Sequence, residues 1–144
     1  MIGFVIVTHG KLGAELLETL SIILPRKREN LACVSIDPGE DANASIVKIR
    51  EAVNAADSGN GVILFTDMFG GTPSNLGITF LEENKVEIIS GVNLPMLLKA
   101  AMMEPRESLR ITAKDISNSG RESITMASNL LSPKPKDVPQ KAAV

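Results

Sequence analysis

Aromatic residues are scarce: four Phe, no Tyr and no Trp in 144 residues. So few rings leave no base-stacking platform for single-stranded nucleic acid and little with which to hold a sugar face or a flavin. Charge of one sign is also missing. Lys plus Arg number 15, Asp plus Glu 17, and the formal net charge is −2. That excludes the broad basic footprint of a nucleic-acid-binding protein. Cys33 is the only cysteine, so no internal disulfide can form, which fits a reducing cytoplasm. No uninterrupted apolar stretch is long enough to span a bilayer, so direct membrane insertion is not expected. The first residues lack a basic leader and read directly as a strand, not as a signal peptide. Histidine, too, occurs once, as His9.

What is present is apolar and finely divided. Hydrophobic residues make up 44% of the chain, enough for the core of one domain. Residues 2–8 form a continuous apolar run rich in β-branched side chains, the signature of a strand buried on both faces. It ends abruptly in Thr8-His9-Gly10. Residues 11–24 then place Leu12, Leu16, Leu17, Leu20 and Ile23 at helical spacing, with Glu15, Glu18 and Ser21 opposite. Pro25 and Arg26-Lys27-Arg28 close that helix. A second strand is predicted over 31–37 and a turn at Asp37-Pro38-Gly39-Glu40. A helix follows to about Asp57, capped by Asp41 or Asn43. Residues 61–67 (GVILFTD) read as a third strand, 68–74 (MFGGTPS) as a loop, and 73–83 as a short helix. A fourth strand is expected over 86–90 and an apolar helix over 93–103, with Pro95 in its first turn. Residues 106–118 are predicted helical. Residues 123–128 put Ile124 and Met126 at strand spacing, although a helix there fits nearly as well. Residues 132–144 hold Pro, Lys and Ala with almost nothing to bury, and read as a disordered tail after a domain of residues 1–131.

Strands alternating with helices imply βαβ crossovers and a mainly parallel, doubly wound α/β sheet with helices on both faces. The commonest small arrangement has strand order 2-1-3-4. It sets strands 1 and 3 side by side, with their connections leaving in opposite directions and a crevice opening between their carboxyl ends. His9 ends the first strand and Asp67 the third, so the topology alone brings them together.

That pairing has a chemistry. A carboxylate that accepts the N–H of one ring nitrogen leaves the lone pair of the other pointing outward as a nucleophile. The same carboxylate stabilises the cation formed on attack. Gly70, Gly71, Thr72 and Ser74, with Gly10 beside His9, offer backbone amides, helix starts and hydroxyls for a phosphoryl group, with no metal and no cofactor required. Each residue also has a plainer account. A lone histidine often caps or packs, a strand-end Asp often closes a turn, and a GGTPS string is often just a helix start. Met68 and Phe69 fit either burial beneath the loop or an apolar rim for docking a protein partner.

The strings FVIVTHGKLGAELL, DPGED, ILFTDMFGGTPSNL and ISGVNLPMLLKA, in that order, resemble the successive signatures of the IIA component of the bacterial phosphotransferase system (PTS), mannose/fructose/sorbose type. The likeness covers roughly residues 2–128. It implies that His9 accepts a phosphoryl group on Nε2 from a phosphorylated HPr-type carrier protein and passes it to a IIB partner that serves sugar uptake, with Asp67 orienting the ring and residues 70–74 framing the phosphate. It also implies a homodimer in which a C-terminal strand, here 123–128, pairs antiparallel with the neighbour's sheet. Residues 132–144 resemble the linker that joins IIA to IIB in some relatives. One departure stands out: Met68-Phe69 replace a hydroxyl and a tryptophan found in some relatives, which bears on partner choice rather than chemistry. Three other readings belong beside this one. They are a regulatory protein whose partners sense the state of His9, the phosphocarrier subunit of a dihydroxyacetone kinase, and a flavodoxin-like nucleotide module, the last disfavoured by the missing Tyr and Trp.

Overall fold

The computed structural model describes residues 1–26, 29–104 and 108–131. Strand β1, Gly3–His9, is buried along its whole length except at His9. It lies in a four-stranded sheet with β2 (Leu31–Ile36), β3 (Val62–Thr66) and β4 (Val86–Ser90), in the order β2-β1-β3-β4. All three pairings are parallel, as the alternation of strands and helices predicts. Alternate residues of β1 and β3 feed two cores. Phe4, Ile6, Ile63 and Phe65 pack with Leu20, Met96, Leu97, Leu109 and Ile116 from helices α1 (Leu12–Ile23), α4 (Leu94–Met102) and α5 (Leu109–Glu122). Val5, Val7, Val62 and Leu64 pack on the opposite face with Ile49 and Val53 of α2 (Ala42–Ala56). Helix α3 (Thr72–Ile78) shares that second face through Leu76. The two-sided burial explains why β1 and β3 read as continuous apolar runs rather than alternating ones.

Local chemistry sets the helix starts. Asp41 caps α2 by accepting the Ala44 N–H. Asn93 caps α4 through the Met96 N–H and also donates to Gly120 O, tying α4 to α5. Ser108 caps α5 through the Ile111 N–H. Helix α1 has no cap from its own flanking residue, Lys11. Instead the buried Thr8 hydroxyl accepts the Gly13 N–H at 2.8 Å.

Three expectations are corrected. The helix expected over 73–83 stops at Ile78, because Glu82 and Val86 bond each other's backbones and turn the chain tightly into β4. Helix α5 continues through Gly120 to Glu122. That glycine serves packing, since a Cβ there would lie 2.4 Å from Met96 side-chain atoms. Residues 123–128 are not a strand. The chain leaves α5, passes 124–126 without regular structure and enters α6 (Ala127–Leu131), with Ile124 and Met126 exposed. Among the described residues no strand lies beside this segment to complete a ladder, and two apolar residues at alternate positions cannot form one alone. The tail expected over 132–144 lies outside the described residues.

Candidate active site

The site is built where β1 and β3 end. Their neighbouring carboxyl termini carry His9 and Asp67, with the chain leaving β1 into α1 on one face and β3 into α3 on the other. This is the switch point of the sheet, where open α/β folds place their ligands. Asp67 Oδ2 accepts both the His9 backbone N–H, at 2.9 Å, and the ring Nδ1, at 2.7 Å. Its Oδ1 accepts the Met68 N–H at 2.9 Å. A carboxylate facing Nδ1 selects the tautomer protonated there and leaves the Nε2 lone pair unshared. Burial pushes the Asp67 pKa up, but the hydrogen bonds from His9 and Met68 outweigh it and hold the carboxyl below its ordinary value. The His9 side chain is 51% exposed and that of Asp67 only 10%, so the carboxylate is anchored inside while the imidazole faces solvent.

Gly71 closes the other edge of the ring. A Cβ on Gly71 would lie 2.8 Å from His9 Cε1 and 3.3 Å from Nε2. Its backbone is extended, with φ −83 and ψ 170. Glycine is thus required here for close approach and not for an unusual conformation. Gly70 and Gly10 differ, with φ of +87° and +51°. Gly10 gives its N–H to Ile36 O at 2.9 Å, so its contribution is to turn the chain from β1 toward α1 rather than to offer that amide to a phosphate. Thr72 shares with His9 and Gly10 a groove of about 480 Å³, whose far wall is residues 36–40. Ser74 does not reach this groove by its hydroxyl. The residue is fully buried and its Oγ lies 3.3 Å from Ser90 Oγ, which in turn sits 2.8 Å from Thr66 Oγ1. Met68 and Phe69 are 55% and 76% exposed beside the pair, which excludes burial beneath the loop.

Two features escaped the sequence reading. The turn at 37–40 supplies a carboxylate-bearing wall. There Glu40 is ion-paired with Lys48 and accepts the Ser45 hydroxyl at 2.9 Å. The Lys48 hydrogen bond, then that of Ser45, lowers the Glu40 pKa, and Glu40 raises that of Lys48. The spacing from Glu40 to Ser45 and Lys48 was the available signal, because a side chain just before a helix reaches residues in its first turns. The other is Ser90, which nothing in an apolar strand distinguished. Lys11 is exposed at the start of α1. Among the described residues no group of three or more His, Cys, Asp or Glu side chains could hold a metal ion, and no helix is long and apolar enough to cross a membrane.

Fold and site together define a doubly wound α/β protein that presents a single carboxylate-oriented imidazole at its switch point. Comparison with known proteins narrows this class. Residues 3–117 match the EIIA-man family, described as the PTS system fructose IIA component, and the chain belongs to that family of phosphotransferase-system IIA components. It is 34% identical over 102 residues to the PTS system mannose-specific EIIAB component of Escherichia coli K12, covering 70% of this chain and 31% of that protein. The chain thus spans about a third of that relative's length. To the PTS system fructose-specific EIIA component of Bacillus subtilis it is 27% identical over 132 residues, covering 91% and 90% of the two chains. Among solved structures, phosphotransferase system component EIIA from Streptococcus agalactiae superposes with a TM-score of 0.79 at 26% identity, covering 90% of this chain and 99% of the other.

Proposed function

We propose that the protein is a histidine phosphocarrier that takes a phosphoryl group on His9 Nε2 from a phosphorylated HPr-type carrier and delivers it to a IIB partner for sugar uptake. The observation that carries this reading is the 2.7 Å contact between Nδ1 and Asp67 Oδ2, which leaves Nε2 as the open nucleophile. In the first step the Nε2 lone pair attacks phosphorus, a new N–P bond forms, and the donor's N–P bond breaks with its electron pair returning to the donor ring. The Nδ1 proton stays in place. The ring becomes cationic as it bonds phosphorus, and the Asp67 carboxylate beside it offsets that charge. The second step reverses the chemistry toward the acceptor. The close approach of Gly71 leaves room at Nε2, and the Thr72 side of the groove supports the phosphoryl oxygens. The exposed Met68 and Phe69 serve as the docking rim for the partner proteins, and the family likeness supports a homodimeric assembly acting in the cytoplasm.

The test is intact-mass spectrometry after incubation with phosphoenolpyruvate, the carrier and the carrier's kinase. One acid-labile, alkali-stable phosphoryl group per chain is expected on the wild type, none on a folded His9→Ala variant, and loss of the label on adding a IIB protein. A wild-type protein that stays unlabelled overturns the reading. A labelled protein that no IIB discharges overturns the delivery step and leaves a regulatory phosphoprotein.

A further inference from the structure

We infer that Ser90, at the end of β4, is a positioning residue for His9: its hydroxyl pins the first turn of α3 to the sheet and so holds Gly71 against the imidazole. This rests on the phosphocarrier reading only for its effect on rate. Thr66 and Ser90 are partners on the last rung of the β3–β4 ladder, and their hydroxyls lie 2.8 Å apart. The Thr66 carbonyl accepts the N–H groups of Gly91 and Val92, both at 3.0 Å, so the chain just past Ser90 is itself fixed to β3. Ser90 Oγ then reaches Ser74 Oγ at 3.3 Å. Ser74 is fully buried, as is Thr66. Three hydroxyls therefore form one chain in a region where an unpaired polar group is costly.

Ser74 lies in the first turn of α3, and that turn is closed by the Asn75 N–H on Gly71 O at 2.9 Å. Moving Ser74 thus moves Gly71. Further along the helix, Gly77 packs against Thr66, where a Cβ would lie 3.6 Å from Thr66 Cγ2. Helix α3 thus meets the sheet through apolar contacts at Leu76 and Gly77 and through the hydroxyl contact at Ser74. The hydroxyl contact lies in the first turn, beside the buried Pro73, at the end that touches His9. Without it the Gly70–Gly71 segment is free to move off the Cε1–Nε2 edge, and the ring gains freedom that slows in-line attack. A misplacement on the order of 1 Å at a reacting group costs roughly 100-fold in rate.

The single histidine makes the contact directly readable. In the unphosphorylated wild type, a strong nuclear Overhauser cross-peak is expected between Gly71 Hα and His9 Hε1. Ser90→Ala and Ser74→Ala should each weaken it several-fold, and Ser90→Thr, which keeps the hydroxyl, should restore it. Phosphoryl loading at saturating carrier should slow by about tenfold in each Ala variant, and no further in the double variant, because both remove one link of one chain. Ser74→Ala decides the same question if Ser90→Ala does not fold. Cross-peaks of wild-type strength in the folded Ala variants overturn the inference, as does slowing that simply adds in the double variant. The cross-peak is read without any phosphoryl donor. Failure of the wild type to take a label would therefore strike the proposed function and not this contact.

Discussion

Asp67 spends both its oxygens on its neighbours, Oδ2 on the His9 backbone and ring and Oδ1 on the Met68 N–H. Asparagine in its place can still accept from the ring, but it carries no charge to set against the imidazolium formed on attack. Asp67→Asn should therefore stay folded and load its phosphoryl group roughly 10–100-fold more slowly, as timed intact-mass spectra would reveal; wild-type kinetics would remove the orienting role. The carboxyl also leaves a mark on stability. Its folded pKa lies below the ordinary 3.8. Its contribution is thus fully present above that value and is lost as pH falls through the lower folded pKa. The gap in Tm between wild type and Asp67→Asn should persist down to about pH 3.8 and narrow below it. At this scale the sequence was partly legible. Strand ends mark His9 and Asp67 because topology alone brings them together. The direction of the Ser74 hydroxyl was hidden, since it depends on where α3 begins and how that turn is rotated. The engagement of the Gly10 N–H with Ile36 O was hidden too, because it depends on the register of β1 against β2.

Elements were most legible where both faces of a strand are buried, since runs as short and β-branched as those of β1 and β3 favour a buried strand over a helix. They were least legible where a partner element decides. The helix predicted over 106–118 runs on through Gly120 because Met96 of α4 needs that missing side chain, and 123–128 reads as a strand only if another strand lies beside it. Helix α1 gives a further case. Its cap comes from inside the preceding strand: Thr8, fully buried, accepts the Gly13 N–H. From sequence Thr8 is simply another β-branched strand residue. Valine keeps its shape but removes the acceptor, leaving an N–H of the first turn unpaired in a dry site. Thr8→Val should cost about 1–2 kcal/mol, a fall of roughly 3–8 °C in Tm for a domain of this size. Urea denaturation would measure it, and an unchanged midpoint would show that water replaces the hydroxyl.

For the whole molecule, the sheet order does two things at once. It joins His9 and Asp67, and it sends the loop after β3 outward with Met68 and Phe69 exposed at the edge of the crevice. Large apolar side chains left in water add little to folding, so under the proposed function their effect falls on association. The two residues are not equal as probes. Met68 Cγ lies 3.4 Å from where a Gly71 Cβ would be, so shortening Met68 disturbs the loop that borders the imidazole. Phe69, 76% exposed, offers the cleaner separation. Phe69→Ala should leave Tm within about 1 °C, as surface changes away from packed features do. Loss of a central aromatic anchor costs about 1–2 kcal/mol of binding, so the KM for the phosphorylated carrier should rise roughly tenfold. The rate at saturating carrier should hold, because the His9–Asp67–Gly71 geometry is untouched. Initial rates over a range of carrier concentrations separate the two quantities. A fall in the saturating rate at unchanged KM would place Phe69 within the machinery of transfer, and the rim would then have to lie elsewhere on the crevice edge.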